Sequence, residues 1–325
     1  MEKHCIILLL IMLCVVSDNI AALLNKQTEA SNVAQKVNGI GEYKINRNLN
    51  LNKDFLNNKK HFKKELSINS NINSKNVNQS SEYYVNLGAD AYNGGYYDLA
   101  INYYTKAIQL DPYNTYAYNG RGMVHKKLGN YNQAIADFTD AIEYRPDFVD
   151  AYNNRGETYR LVGKYNQAII DFNIAIQLDS NDDYAYASRG ASYASLGKYD
   201  QAIADYNKAI HLNPKYIWAY NNRGIVYIDI GKYDNAIADF NKIIQLDPNY
   251  IWAYNNRGLA YDNLGNFNQA IADYTKAIQL DPNYAAAYNN RGWTYYNLGK
   301  YDQAISDYNT AIQLDPNYAW AYNRR

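Results

Sequence analysis

From about residue 81 onward the chain alternates apolar and polar positions with a helical period, and the pattern restarts every 34 residues. Take the unit 251–284 and number its positions 1 to 34. Tyr254, Gly258 and Tyr261 at positions 4, 8 and 11 fall within about 60° of one another on a helix, making one apolar face. Ala270, Tyr274 and Ala277 at positions 20, 24 and 27 do the same for a second helix that begins near Asn268. Small residues at 8 and 20 let the two helices approach, and the rings at 4, 11 and 24 fill the space beside them. Gly265 stands where the first helix needs a left-handed cap, and Phe267 follows it into the turn. Asp281-Pro282 closes the second helix and starts the next unit.

Glycine marks the register: Gly88, Gly122, Gly156, Gly190, Gly224, Gly258 and Gly292 are 34 apart, and each is followed seven residues later by another. Seven units result, 81–114, 115–148, 149–182, 183–216, 217–250, 251–284 and 285–318, with 319–325 as the start of an eighth first helix. Two helix-length patterns per period predict an all-α solenoid of stacked hairpins.

The set of an aromatic at 4, Gly at 8, Tyr at 11, Ala at 20, Tyr or Phe at 24, Ala at 27 and Pro at 32 resembles the tetratricopeptide repeat and covers 238 of 325 residues. The resemblance implies a right-handed superhelical solenoid whose first helices line a concave surface. Departures are few: Ala91 and His125 replace the ring at 11, Ser180 replaces Pro at 32, and Ile243 replaces Ala at 27.

Position 7 is apolar in most repeats of that family, but here it is Arg121, Arg155, Arg189, Arg223, Arg257 and Arg291. Position 23 in the same six units is Asp137, Asp171, Asp205, Asp239, Asp273 and Asp307, and unit 1 replaces both, with Leu87 and Tyr103. Joint presence and joint absence predict contact, either across the hairpin or onto the adjacent unit. The arginines are therefore expected in structural ion pairs rather than facing a ligand.

Positions 2, 6, 9 and 13 face away from the 4, 8 and 11 stripe. Position 6 carries Asn86, Asn154, Asn222, Asn256 and Asn290, interrupted by Gly120 and Ser188. A side-chain amide both donates and accepts, so a row of them can bond the backbone of an extended peptide without demanding a sequence. The row resembles the asparagine ladder in the repeat region of O-GlcNAc transferases. Position 2 adds Tyr116, Tyr184, Trp218, Trp252 and Trp320, and position 9 adds Trp293, as candidate aromatic anchors. The competing explanations are also open. Asparagine is abundant throughout, position 5 repeats it at Asn153, Asn221, Asn255 and Asn289, and the tryptophans could pack between neighbouring first helices.

Charge narrows the partners. Residues 81–325 hold 21 Lys/Arg and 26 Asp/Glu, a net −5, which argues against nucleic acid. Groove-side basic residues are confined to Lys126, Lys127 and Arg160, too few for a carboxylate-gripping chaperone adaptor. The array's two histidines, His125 and His211, sit in different units, with no catalytic constellation, metal spacing or phosphate loop, so no cofactor and no enzyme activity are expected. His125 is expected as a structural core histidine.

The expected function is a noncatalytic scaffold holding an extended peptide or partner helix in the concave groove. The alternatives are an assembly factor that self-associates or docks through the open C-terminal end or the convex face, and the truncated repeat region of an enzyme such as an O-GlcNAc transferase.

Before the array, Cys5 to Val16 form an apolar run of twelve residues, short for a membrane span and suited to a signal peptide; an uncleaved anchor over 5–24 is the membrane-associated alternative. Residues 23–80 are rich in Asn, Lys and Ser, carry ten Lys/Arg against four Asp/Glu, and are expected to be disordered. Signal peptide plus basic leader resembles the bipartite leaders that route proteins to the relict plastid of malaria-type parasites. Arg47-Asn48-Leu49 resembles the start of their host-export signal, with Leu51 where an acidic residue or Gln is usual. Asn78-Gln79-Ser80 is a glycosylation tripeptide, usable in a lumenal chain.

Overall fold

A computed structural model describes residues 80–316. The expected signal peptide or anchor, the expected leader up to residue 79 with Asn78, and residues 317–325, with Trp320 and the expected start of an eighth unit, lie outside the described residues.

The described residues form fourteen α-helices, two per unit. The first helices of units 1 to 7 are α1 (Ser81–Asn93), α3 (Thr115–Lys127), α5 (Val149–Leu161), α7 (Asp183–Ser195), α9 (Ile217–Asp229), α11 (Ile251–Asn263) and α13 (Ala285–Asn297). The second helices are α2 (Tyr97–Leu110), α4 (Tyr131–Tyr144), α6 (Tyr165–Leu178), α8 (Tyr199–Leu212), α10 (Tyr233–Leu246), α12 (Phe267–Leu280) and α14 (Tyr301–Leu314). Each second helix packs on its own first helix and, up to α12, on the first helix of the next unit, and successive first helices also touch, giving an all-α solenoid. No described helix is long and apolar enough to cross a membrane.

Local chemistry sets the helix ends. Gly265, at φ 77°, follows α11 in the left-handed region. Its N–H donates to Asp262 O at 2.9 Å and the Asn266 N–H to Tyr261 O at 2.8 Å, satisfying carbonyls that the helix leaves open. The second helix then begins at Phe267, one residue earlier than the sequence pattern suggested, with Asn266 as the residue that precedes its first turn. At the other end the Asp281 carboxylate accepts from the Asn283 N–H at 2.9 Å, folding the chain back toward the next unit. Asp179 does the same for Asn181 at 2.9 Å, so the turn survives Ser180 in place of proline.

The core follows positions 20, 24 and 27. Ala236, Phe240 and Ile243 are fully buried, as are Ala168, Phe172 and Ala175, so Ile243 is absorbed without exposure. Each buried ring contributes roughly 1.5–3 kcal/mol by leaving water. Two further buried rows were not apparent from a single hairpin: Ala117, Ala151, Ala185, Ala219, Ala253 and Ala287 at position 3, and Val124, Thr158, Ser192, Val226, Ala260 and Thr294 at position 10. They lie about 120° around the first helix from the centre of the 4, 8 and 11 stripe. One cluster joins Tyr206 and Ala209 of unit 4 to Ala219 and Val226 of unit 5, and another joins Phe240 and Ile243 of unit 5 to Ala253 and Ala260 of unit 6. Because the apolar clusters straddle unit boundaries, each hairpin depends on its neighbours.

Candidate functional site

Two adjacent rows on the first helices, positions 7 and 6, carry most of the repeated polar chemistry. The arginines of position 7 are locked. Arg257 donates from Nε to Asp273 Oδ2 at 2.8 Å and from Nη2 to Oδ1 at 2.6 Å, a two-pronged bond across the hairpin. Its Nη1 donates to Asn241 Oδ1 at 2.5 Å, at position 25 of the preceding unit. Arg121, Arg155, Arg189, Arg223 and Arg291 repeat the arrangement, with Thr105, Thr139, Asn173, Asn207 and Thr275 as the position-25 acceptors. Each guanidinium also lies over the position-4 ring of its own unit, as Arg257 does over Tyr254 at 5.6 Å. The arginine–aspartate contact is thus made across the hairpin, and a separate bond from the same guanidinium reaches the preceding unit.

The six aspartates are buried, and burial pushes the carboxyls of Asp171, Asp205, Asp239 and Asp273 up against the pull of their arginines. Burial also works against the charge on Arg223, yet its bond to Asp239 holds its pKa above the ordinary value. In unit 1, the first described hairpin, Leu87 and Tyr103 stand in these places, and Tyr103 packs on Tyr84 with ring centres 6.2 Å apart.

The asparagines of position 6 are engaged less completely. In units 5 to 7 they join the asparagines of position 5 in one chain: Asn289 donates to Asn290 at 3.2 Å, Asn290 to Asn255 at 3.1 Å, Asn255 to Asn256 at 3.3 Å, and Asn256 to Asn221 at 3.5 Å. Asn222 turns instead to its own helix, donating to the Trp218 carbonyl at 2.7 Å. Asn255 and Asn289 are buried and Asn256 and Asn290 half-buried, so position 6 is partly covered by the preceding unit rather than wholly open. In unit 3, Asn154 donates to Asn119 at 3.1 Å and accepts from Lys126 Nζ at 2.9 Å, while Asn86 is exposed on α1. Asn119 belongs to the position-5 row and passed unnoticed because Gly120 breaks the Asn-Asn phrase beside it.

The interruptions have structural causes. A Cβ at Gly120 would overlap the ring of Tyr104, which also lies against Gly88, so unit 2 has no room for an amide there. Ser188 is buried, beside Ala187 in place of the position-5 asparagine.

The aromatic candidates divide. Trp252 is 42% exposed and meets Tyr250 edge-on at 5.3 Å. Trp218 is half-buried, packed on the unit 4 and 5 cluster and 6.0 Å from Tyr216. Tyr116 is exposed, but its ring meets Phe148 at 5.3 Å and its hydroxyl accepts from Arg145 Nη1 at 2.9 Å. Tyr184 is partly exposed beside Glu157 and Arg160; burial, with Glu157 second, pushes its phenol up to about 12. Trp293 stacks on Tyr296 at 5.6 Å. The structure thus gathers Trp218, Trp252 and Trp293 on the three units that hold the amide chain, and sets Tyr116 and Tyr184 on units 2 and 4.

Sequence comparison accounts for this register. A model described as tetratricopeptide repeat matches residues 115–148, 149–182, 217–250, 251–284 and 285–318, a second of the same description matches 81–114, and one described as TPR repeat matches 190–231. The chain belongs to the tetratricopeptide repeat family.

Among solved structures, a tetratricopeptide repeat protein from Parabacteroides merdae ATCC 43184 is 23% identical over 75% of this chain and 97% of its own, with a TM-score of 0.60. The Cut9–Hcn1 hetero-tetramer of the APC/C is 18% identical over 78% of this chain and 49% of that one, with a TM-score of 0.59. MamA is 30% identical over 50% of this chain and 94% of its own, with a TM-score of 0.47. A search of curated proteins finds no match. Such repeat arrays are protein-interaction scaffolds, and this chain has that architecture.

Within the tetratricopeptide array the two histidines sit in different units. His125 Nε2 lies 4.0 Å from Asp137 Oδ2, an aspartate already bound by Arg121, and burial lowers its pKa. His211 is exposed in the last turn of α8. Among the described residues no group of three or more His, Cys, Asp or Glu is placed to hold a metal.

Proposed function

We propose that units 5 to 7 hold an extended segment of a protein partner along the row of side-chain amides, with Trp218, Trp252 and Trp293 as ring anchors beside it. The observation that carries this reading is the Asn289 to Asn221 chain. Its inner members each have one donor and one acceptor bonded within the row, and a primary amide has two N–H donors and two acceptor lone pairs. The half-buried Asn256 and Asn290 therefore retain capacity to pair with a peptide backbone, at intervals set by the stacking of the units. Each arginine, by contrast, is held by an aspartate across its hairpin, by a position-25 oxygen of the preceding unit and over a ring of its own unit.

The test replaces Asn222, Asn256 and Asn290 together with alanine and measures partner capture from native extract, with circular dichroism as the fold control. Capture should fall by about tenfold or more while the helical signal persists. Unchanged capture by a folded variant favours docking through the convex face or the C-terminal end, where Tyr296, Tyr301 and Ile305 of the last described hairpin are exposed. The apolar run before the leader supports a further proposal, entry into the secretory pathway, and a cytosolic location of the C-terminally tagged chain contradicts it.

A further inference from the structure

Units 5 to 7 repeat their apolar groove side chains at a fixed step. Position 9 of the first helix carries Ile225 in unit 5 and Leu259 in unit 6, and Trp293 continues the row in unit 7; units 2 to 4 have Met123, Glu157 and Ala191 there. Trp218 and Trp252 stand beside the row at position 2. Ile225 is 37% and Trp252 42% exposed, and Leu259 and Trp218 are half-buried. The step is regular, since Asn256 reaches Asn221 and Asn290 reaches Asn255, each across one junction and 35 residues. Packed helices lie about 8–10 Å apart, so the groove offers an apolar side chain about every 8–10 Å with amides alongside.

Step and amides together sort the conformations that a bound segment can take. A β-strand returns a side chain to the same face about every 6.6 Å, then at about 13 Å, and both miss the step. An α-helix meets it with a seven-residue return of about 10.5 Å, but its backbone groups are bonded internally and leave the amide row without partners. A polyproline II segment repeats its face every three residues, about 9 Å, and has no internal hydrogen bonds, so its N–H and C=O groups stay open to Asn256 and Asn290. Segments of this kind also dock on aromatic-lined grooves, the setting that Trp218 and Trp252 provide. We propose that units 5 to 7 select a polyproline II segment of a protein partner with an apolar residue at every third place, one for the position-9 side chain of each unit. This rests on the peptide-binding proposal above and adds the partner's conformation and pattern.

The experiment uses the full chain and three capped peptides of about ten residues, long enough to cross three units. The first has leucine at every third place and glutamine elsewhere. The second has the same composition with its leucines at alternate places, the strand pattern. The third is the first with proline at the second place of each triplet, turned from the groove, which excludes an α-helix. Titration calorimetry should give the first about fivefold tighter binding than the second. The third should bind within about threefold of the first, because it keeps every carbonyl and its prolines are already set for polyproline II. I225A/L259A should bring the first two within about twofold, and N256A/N290A should weaken all three alike, with circular dichroism as the fold control. Equal binding of the first two peptides, with sensitivity to N256A/N290A retained, overturns the three-residue register and leaves peptide binding standing. A preference that survives I225A/L259A overturns the assignment to position 9. Loss of about tenfold or more by the proline peptide overturns the polyproline II conformation. Binding of none of the peptides, or binding indifferent to N256A/N290A, overturns the underlying reading. The peptide comparison on the unaltered chain decides the register even where a variant fails to fold.

Discussion

Units 5 to 7 and units 2 to 4 share a scaffold and differ in the face it presents. Both halves stack on the same buried alanines and rings, and both carry the arginine that grips an aspartate and reaches the preceding unit. The rows at positions 5, 6 and 9 diverge. In units 5 to 7 they form a continuous amide chain flanked by Ile225, Leu259 and Trp293. In units 2 to 4 the chain is cut at Gly120 and again at Ala187-Ser188, and Lys126 and the Arg160 to Glu157 pair occupy the face. A repeat array can thus hold its fold constant through one set of positions while another set changes along the groove. The changed set is where partner recognition is expected to reside.

The comparison can be broken first at the ion pairs. If the arginine and aspartate rows belong to the scaffold, Asp171→Ala in unit 3 and Asp239→Ala in unit 5 should cost the same, about 3 kcal/mol, because each leaves a guanidinium that is mostly buried without its partner. Repeat-resolved hydrogen exchange locates the loss, since a solenoid can unfold in parts. A double-mutant cycle on Arg223 and Asp239 should return coupling of about 1–3 kcal/mol, and zero coupling removes the pairing from the account.

Gly120→Ala comes next. Its methyl group meets a Tyr104 ring already boxed by Gly88, so overpacking should cost about 1–3 kcal/mol in urea unfolding. A neutral outcome means that the break in the asparagine row is not forced by the ring. Smaller again is the amide chain itself. Asn255→Ala removes two side-chain amide bonds and Asn119→Ala one, so the first should lose about 1–2 kcal/mol and the second about 1. Equal small losses argue that the chain adds nothing beyond isolated contacts.

The slightest effect concerns pH. Burial holds the His125 pKa below its ordinary value. A base whose folded pKa is lowered gives stability that is complete above its unfolded value of about 6.5 and is lost as pH falls through it toward the folded value. Melting temperature should therefore decline on acidification from neutrality, and His125→Phe should flatten that decline.

Most of the scaffold was legible because its rules are local and repeated. Tyr254, Gly258, Tyr274 and Gly265 each report a helix face or a cap that neighbours in sequence reveal. The pairing of Arg257 with Asp273 was legible from joint loss in unit 1, although its third bond, to Asn241, was not, because that bond depends on how units stack. The buried rows at positions 3 and 10 were missed for the same reason. The site was legible only as residue types. Asn256 and Asn290 were marked by their repetition, but their partners, Asn221 and Asn255, lie one unit back, across a contact that no single hairpin contains.

The central claim, that the amide row bonds a peptide's backbone rather than its side chains, is met most directly by a backbone modification. A capped peptide of alternating leucine and glutamine, about ten residues long and so able to cross three units when extended, is titrated against its twin with alternate backbone nitrogens methylated, which removes donors while keeping every side chain. Loss of about tenfold or more in affinity is the result the account predicts. Equal affinity of the two peptides contradicts it.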